Sequence, residues 1–457
     1  RLMNIRKWIT EYSSVVVLLG LMVYYSIATI TEQRPITPRA ARQVAQAIAN
    51  AHGSDAAVMV AVGDSRQETL YAKKLAEQLR AAGLEVRSVV TGSVAEIRQE
   101  LESLGRQGVR LQAVATHRDL ASSLPFLRPD GFRKLAEQYP SLREARIYKP
   151  GSYRWPSFLT SENLLNVLNQ NAGIAIIAIG MTLVIITGGI DLSVGSVLAL
   201  AAVSAAIVMQ RIGGAAGMAV GCLAGFAVCS ACGLATGLTV TRFRVPAFIV
   251  TLSMMMACRG LAFIGAVQYH SAASGGGSKT PEAIRIDFEQ FGLLANGRLL
   301  GVPNPVWIMV ALYLLAHVVM SRTVFGRHVY AVGGNALAAR LSGIRVDRVL
   351  TGVYIISALT AGLAGLIDAS RFVGGRPNAG ELYELKVIAA VVVGGASLFG
   401  GQGRVFGTLV GALIIAVIEN GLNIEGVTTY EQMVVFGGLI LAASLLDQFK
   451  HRAAGAA

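Results

Sequence analysis

The 457-residue chain is 53% hydrophobic and 15% charged, with 51 glycines, a balance that excludes an ordinary soluble globular protein and marks a membrane protein. Its net charge of +13 gathers at the ends of apolar segments and in one polar block, without the interleaved aromatic and basic residues of single-strand nucleic-acid binders. Cys222, Cys229, Cys232 and Cys258 all fall in apolar segments, so Cys229-x-x-Cys232 reads as membrane packing rather than a metal or redox pair, and no disulfide framework is expected.

Residues 12–30 follow Arg6, Lys7 and Trp8, and their length suits a spanning helix better than the short core of a cleaved signal. No small-x-small cleavage site follows; Glu32-Gln33-Arg34 comes instead. An initial Arg1 leads us to expect that the numbered chain begins inside a longer one. Residues 32–155 then turn soluble in composition. Thr37 caps a helix running through His52, residues 56–62 are an apolar run, and residues 66–82 form an amphipathic helix ending at Gly83. Strand, helix and strand follow at 84–91, 94–107 and 109–116, then a helix near 131–139 and a last strand at 145–149. This alternation predicts a small parallel sheet carrying helices, and the order resembles one lobe of a sugar-binding protein or a flavodoxin-like unit. Gly63-Asp64-Ser65 falls where such folds place ligand contacts, although a tight turn with a helix N-cap accounts for it more simply. If the first segment runs from inside to outside, the block is extracytoplasmic, and its arginines do not forbid that.

After Pro156, residues 158–170 are amphipathic through Leu159, Leu164, Leu165 and Leu168 and are predicted to lie along the membrane surface. Apolar segments follow at 172–188, 194–210, 214–240, 246–268, 305–321, 351–370, 386–400, 405–423 and 428–446. With the first segment they predict a multi-pass α-helical membrane protein of about ten transmembrane helices, the small α/β domain lying between helices 1 and 2. Threaded from a cytoplasmic N-terminus, they put Arg242, Arg244, the 322–350 loop, Arg404, Lys450 and Arg452 inside, as the positive-inside rule requires. Arg211 is an exception. Trp155 and Trp307 fall near outer segment ends, as aromatic anchors do.

Ile186-Thr187-Gly188-Gly189-Ile190-Asp191-Leu192-Ser193-Val194-Gly195 interrupts two apolar segments, and Gly394-Gly395-Ala396-Ser397-Leu398-Phe399-Gly400-Gly401 repeats its G-G-x-x-L pattern. Paired glycine-broken segments in two halves of a transporter point toward a pathway or a moving element. Asp191 or Ser193 caps the next helix, or Asp191 meets substrate; the sequence leaves both open. Between the two copies, Gly213, Gly217, Gly221, Gly225, Cys229, Gly233 and Gly237 place a small residue at every fourth position, one smooth stripe for close helix contact. Gly275-Gly276-Gly277-Ser278-Lys279-Thr280 is not a phosphate loop, since Ser278 stands where glycine is required; it reads as a linker.

The stretch 325–349 holds Arg327, Arg340, Arg345 and Arg348 against a single acid, Asp347. Leu337-Ala338-Ala339-Arg340-Leu341-Ser342-Gly343 reads as a short helix with a small face, closed by a glycine able to take a left-handed cap. It resembles the coupling loop of ABC importer permeases, patterned Glu-Ala-Ala, three residues, Gly; Ala338, Ala339 and Gly343 match, and Leu337 replaces the Glu. A basic loop obeying the charge rule would also fit these seven residues. The wider string Tyr330-Ala331-Val332-Gly333-Gly334-Asn335 through Gly343-Ile344 resembles permeases of the ribose, galactose and xylose type. So do Met181 to Thr187, Pro246 to Leu252 with Arg259-Gly260, and Leu385 through Gly426 with Glu419-Asn420-Gly421-Leu422-Asn423. The resemblance covers residues 158–268 and 305–450, fails in 32–155, and meets a loop at 269–304 longer and more polar than the family requires.

The resemblance implies a dimer of permease copies, homo- or heteromeric, a soluble sugar-binding protein outside, and an ATPase pair docked on the cytoplasmic loop. The coupling residues would be Gly333, Gly334, Asn335, Ala338, Ala339, Leu341, Ser342 and Gly343. Pathway candidates are Gly188, Gly189, Asp191, Ser193, Arg259, Gly394, Gly395, Glu419 and Asn420. Glu419 and Arg259 enter because an ionised group in apolar surroundings is costly unless paired or wet, though both could lie near the outer surface. Asn166, Asn169, Asn171, Asn420 and Asn423 offer amides to a sugar. No Walker motif, zinc spacing or nucleophile elbow occurs, so no cofactor or metal is expected on this chain, and ATP and magnesium belong to the ATPase partner. A branched-chain amino-acid permease is the nearest alternative. An ion-driven transporter would need titrating acids, and Asp191, Asp368 and Glu419 are scattered; a membrane-anchored sensor would leave nine spans unexplained.

Overall fold

The computed structural model describes residues 13–53, 55–273 and 280–455. The chain forms two compact units, Ile30–Ser157 and the remainder, Arg1–Thr29 with Phe158–Ala457. The first helix, α1 (Ser13–Ala28), belongs to the larger unit; Arg6, Lys7, Trp8 and Tyr12 lie outside the described residues.

In the smaller unit, the elements are β1 (Ile30–Gln33), α2 (Pro38–His52), β2 (Ala57–Val62), α3 (Arg66–Ala81), β3 (Glu85–Thr91), α4 (Val94–Arg106), β4 (Ala113–Ala115), α5 (Arg118–Ser123), α6 (Pro129–Gln138), β5 (Arg146–Tyr148) and β6 (Tyr153–Pro156). β1 and β6 pair antiparallel, a ribbon that holds Trp155. The other four strands make a parallel sheet in the order β3-β2-β4-β5. All six residues of β2 are buried, because both faces are covered, as βαβ crossovers demand. Val58, Val60 and Val62 meet Ile48 of α2 and Leu75 and Leu79 of α3. Met59 and Ala61 meet Ile97 and Leu101 of α4 and Leu135 of α6.

Strand order reverses direction between β2 and β4, the crevice where open α/β sheets take ligands. Ser65 there caps α3 in a capping box with Glu68, the simpler of the two expectations for Gly63-Asp64-Ser65. Glu68 also reaches His117 at 2.7 Å, tying the two strand ends together. Burial raises the Glu68 carboxyl, but the Ser65 hydroxyl, His117 and the Ser65 amide outweigh it and hold the group below the ordinary carboxylate range.

The larger unit continues with α7 (Ser161–Ile186), α8 (Val194–Ile212), α9 (Gly214–Arg242), α10 (Ala247–Ala273), α11 (Glu289–Asn296), α12 (Asn304–Arg322), α13 (Val324–Gly334), α14 (Ala336–Leu341), α15 (Val346–Arg371), α16 (Tyr383–Val393), α17 (Val405–Ile424) and α18 (Thr429–Gly455). Seven helices among the described residues are long and apolar enough to cross a membrane, namely α7, α8, α9, α10, α12, α15 and α17. α1 and residues 429–445 are shorter apolar stretches.

Two sequence expectations are corrected. Residues 158–170 do not form a separate surface helix, because Thr160 caps α7 at its start and nothing breaks the helix before Ile186; Val167 and Leu168 belong to its buried side. Nor is the segment at 386–400 one continuous helix. α16 has 11 residues, well under the roughly 20 needed to span, and it ends at Gly394-Gly395, where Gly395 takes φ +92°. The 269–304 loop is structured where described: Ile284–Arg285 pairs with Gly374–Gly375, and α11 buries Phe291 and Ala295. Residues 275–279 of the expected linker lie outside the described residues, as do the side chains of Lys450 and Arg452.

α7, α8, α9 and α15 pack at backbone distance through small residues. The face of α9 that is buried consists of Gly217, Gly221, Gly225, Cys229, Gly233, Thr236 and Gly237. A methyl added at Gly221 would stand 2.8 Å from the Ala205 carbonyl oxygen of α8, and at Gly233 2.7 Å from that of Tyr354 of α15. Cys229 faces Gly362 of α15 in the same seam. Gly233→Leu is therefore expected to destabilise the unit by about 3 kcal/mol through overpacking. Gly260→Ala, with nothing within 4 Å of the new carbon, should leave the melting temperature unchanged; equal melting of the two variants in a fluorescence scan would refute the seam.

Candidate functional site

Three glycine pairs distant in sequence meet at one point. α7 ends where Gly188 takes φ +78° and the amides of Gly188 and Gly189 donate back to the carbonyls of Ile185 and Val184. α16 ends the same way one residue later in its motif: Gly395 and Ala396 donate to Val392 and Val391. Past that turn the chain runs to Gly400 and Gly401, both at positive φ, and the Gly401 amide donates to the Ile186 carbonyl at 2.8 Å. Gly333, at the end of α13, closes the contact. A methyl there would lie 1.8 Å from the Ile186 oxygen and 2.8 Å from the Gly401 nitrogen. One at Gly400 would lie 2.9 Å from the Gly333 oxygen and 3.1 Å from the Gly188 nitrogen. The Tyr330 hydroxyl of α13 donates to the Gly403 carbonyl at 2.7 Å.

From this junction α14 projects outward. The Asn335 side chain accepts from the Ala338 amide at 3.0 Å and so starts the helix. Gly343, at φ +88°, ends it, with the Ile344 amide donating to Ala339 and that of Gly343 to Arg340. Ala339 is buried, while Gly334, Ala338, Ser342 and Gly343 are exposed. Leu337 and Leu341, four residues apart on one face, are 69% and 82% exposed.

The remaining candidates divide. Asp191, 2% exposed, accepts from the Ser193 amide at 3.0 Å, from the Ser193 hydroxyl and from Ser357 of α15 at 2.8 Å; it clamps the start of α8 to α15. Ser397 in the other copy accepts from the Phe399 amide, the same two-residue turn. Arg259 of α10 donates to the carbonyls of Pro377 and Ala379, fixing the turn before α16. Glu419 pairs with Lys386 of α16 at 2.9 Å. Asn420 exchanges two amide hydrogen bonds with Asn163 of α7, each 2.9 Å. Asn423 accepts from Gln432, Asn169 accepts from Arg371, and Asn171 donates to the Val167 carbonyl. Asn166 is half-buried.

Around α16 the charges form a network. Arg376 donates to both oxygens of Asp368 at 3.0 Å and lies over the Phe372 ring; Tyr383 stands in the field of Asp368, Glu419, Arg371 and Arg376. The second Glu419 oxygen is buried with no hydrogen-bond partner, so removing the cation strands a carboxylate in a poorly solvated place. Lys386→Met should lower stability by about 2–3 kcal/mol, and adding Glu419→Gln should restore most of it. A thermal melt in which Lys386→Met matches the parent would dismiss the pair.

The family model described as "Branched-chain amino acid transport system / permease component" matches residues 163–444. The chain belongs to this permease family. It is 46% identical over 297 residues to the ribose import permease protein of Escherichia coli K12, covering 65% of this chain and 88% of that one. The Bacillus subtilis ribose import permease protein is 43% identical over 295 residues, 65% and 87% of the two chains. The L-arabinose ABC transporter permease protein of Azospirillum brasilense is 38% identical over 297 residues, 65% and 83%. No solved structure matches. The matched region of the permease begins after the Ile30–Ser157 unit.

Sequence reasoning did not single out four residues of this candidate site. Lys386 is a lone cation in an apolar helix and answers to the same rule that found Glu419. Asn163, Tyr330 and Tyr354, the last with its hydroxyl 2.6 Å from where a Gly189 methyl would sit, give no local signal, because their partners are more than 70 residues away.

Proposed function

We propose that the chain is the transmembrane subunit of an ATP-driven importer carrying a monosaccharide of the ribose, xylose or galactose class across the bacterial cytoplasmic membrane. The observation that carries the reading is the backbone junction of Gly333 with Ile186 and Gly401, supported by the similarity to ribose and arabinose permeases. An ATPase that binds ATP and magnesium docks on Leu337, Ala338, Leu341 and Gly343, and its closure moves α14. Because Gly333 has no side chain to yield, the displacement passes directly to the end of α7 before Gly188-Gly189 and to Gly400-Gly401 at the far end of the second glycine-broken segment, and switches the pathway between its two accesses. Two permease copies form that pathway, with a soluble binding protein delivering sugar from outside.

In this reading residues 1–31 carry helix 1, residues 32–155 are an extracytoplasmic α/β insert, residues 156–450 are the permease core, and 451–457 a cytoplasmic tail. Ten apolar segments then cross the membrane, the one at 386–400 as a helix broken at Gly394-Gly395, with both termini inside; the arginine-rich 322–350 loop lies in the cytoplasm. The insert docks, or partly replaces, the binding protein. Arg259, Ser193 and Asp191 hold the pathway walls, while Glu419 and Asn420 stand near its outer mouth. An ion-driven mechanism is disfavoured because Asp191, Asp368 and Glu419 each already have a protein partner.

Reconstitution with the candidate ATPase and binding protein of its own cell tests this. ATP-dependent accumulation of labelled ribose, xylose or galactose is the expected result. Uptake of leucine instead would establish the amino-acid alternative, and ATP-independent, ionophore-sensitive uptake would defeat the ABC reading. Deleting residues 36–150 with full sugar uptake retained would sink the role given to the insert.

A further inference from the structure

At the end of the bundle beside α14, an open cavity of about 580 Å³ is lined by Leu238, Thr241 and Arg242 of α9, Arg244 beyond it, Arg340 of α14, and Asp347, Arg348, Thr351, Gly352 and Ile355 of α15. Four arginines face one carboxylate. Arg340 is engaged with Asp347 at 2.9 Å; among the described residues no carboxylate lies within ion-pair distance of Arg242, Arg244 or Arg348. Three cations thus share one concave space without a counter-charge, an arrangement that repels itself unless an anion enters. The guanidinium fork matches phosphate oxygens in pairs.

What kind of anion is settled by the floor and the flank. Leu238 lies one helical turn before Arg242, and Ile355 about two turns after Arg348, on helices long enough to cross a membrane, so the cavity lining passes from charged rim to apolar base within roughly two turns. Leu234 and Leu238, four apart on α9 and 44% and 47% exposed, continue that base along the outer face of the helix. Phe243, between two of the arginines, is 73% exposed. A phosphate with an attached hydrocarbon fits this gradient, whereas a free phosphate would use the rim alone and an acidic protein segment would leave the apolar track bare. We propose that the cavity is a site for an anionic phospholipid, its headgroup phosphate held by Arg242, Arg244 and Arg348 and its acyl chain laid along Leu238 and Leu234. Occupancy would brace α9 against α15 next to α14, and it does not depend on which side of the membrane this end faces.

Native mass spectrometry of the purified full chain, titrated with phosphatidylglycerol or phosphatidylcholine, tests the site. The parent should prefer phosphatidylglycerol at least tenfold, and the Arg242→Ala, Arg348→Ala double variant should bind it roughly 25-fold more weakly, about fivefold per arginine. The corresponding double lysine variant, which preserves the fold and charge, should retain most of the preference. Equal binding of the two lipids, or an unchanged preference in the alanine variant, overturns the proposal. So does displacement of phosphatidylglycerol by millimolar inorganic phosphate, which would assign the cavity to a free anion. Lipid binding indifferent to all these substitutions together with loss of ATPase capture would assign the arginines to a protein partner instead.

Discussion

Gly333→Ala should reduce ATP-driven uptake at least tenfold, while Gly334→Ala, one residue on, transports normally. The contrast follows from space alone. The new methyl at 333 would stand 1.8 Å from the Ile186 carbonyl oxygen, whereas that at 334 meets nothing within 4 Å. A backbone atom cannot rotate away as a side-chain tip can, so α13 must shift off the two glycine-broken turns. The overpacking costs about 2–3 kcal/mol, and the shift disturbs the backbone contact by which, in the proposed mechanism, a displaced α14 reaches Ile186 and Gly401. Uptake and ATPase stimulation are measured together: in the 333 variant the ATPase should still dock and turn over, but without sugar movement. Equal uptake by the two variants would remove the junction from the mechanism. Loss of docking in the 333 variant would instead mean that α14 had lost its own fold.

The fold was legible where a pattern is local. The every-fourth-residue stripe from Gly213 to Gly237 is the buried face of α9, because a repeat close to the helical turn must fall on one side. The basic stretch around Arg340 contains a short capped helix because Asn335 and Gly343 carry the geometry of their own ends. The failures are those of length and of distance. Residues 158–170 read as amphipathic because leucines and asparagines alternate there, yet Asn163 is polar toward Asn420, 257 residues on; a polar residue facing another half-buried amide is indistinguishable in sequence from one facing water. The segment at 386–400 read as one unbroken span because Val391, Val392 and Val393 adjoin Leu398 and Phe399, and hydropathy counts residues without asking whether glycine ends the helix between them. Likewise the glycine repeat was visible as a motif, but its meeting with Gly333 was not, since no pattern links residues 186, 333 and 401. The repeat is also imperfect: the left-handed position is the first glycine in one copy and the second in the other.

Leu337→Glu with Leu341→Glu should abolish capture of the ATPase subunit and, with it, all ATP-dependent transport. These leucines are more than two-thirds exposed on a six-residue helix, an apolar pair that water disfavours and that the chain's own core does not cover. Burying both in a partner groove is worth roughly 3–6 kcal/mol; two carboxylates there would forfeit that and add desolvation. The fold itself should be untouched, because the caps at Asn335 and Gly343 and the buried Ala339 remain. Melting temperature, ATPase co-purification and uptake together therefore separate docking from stability. A variant that melts with the parent, loses the ATPase and loses transport supports the contact. Should the ATPase still co-purify at parent yield, the docking face lies elsewhere on the basic stretch, and the matching of Ala338, Ala339 and Gly343 to a coupling loop loses its force. Comparison with Gly343→Trp, which changes the cap rather than the apolar face, then tells whether the partner reads the helix or its end.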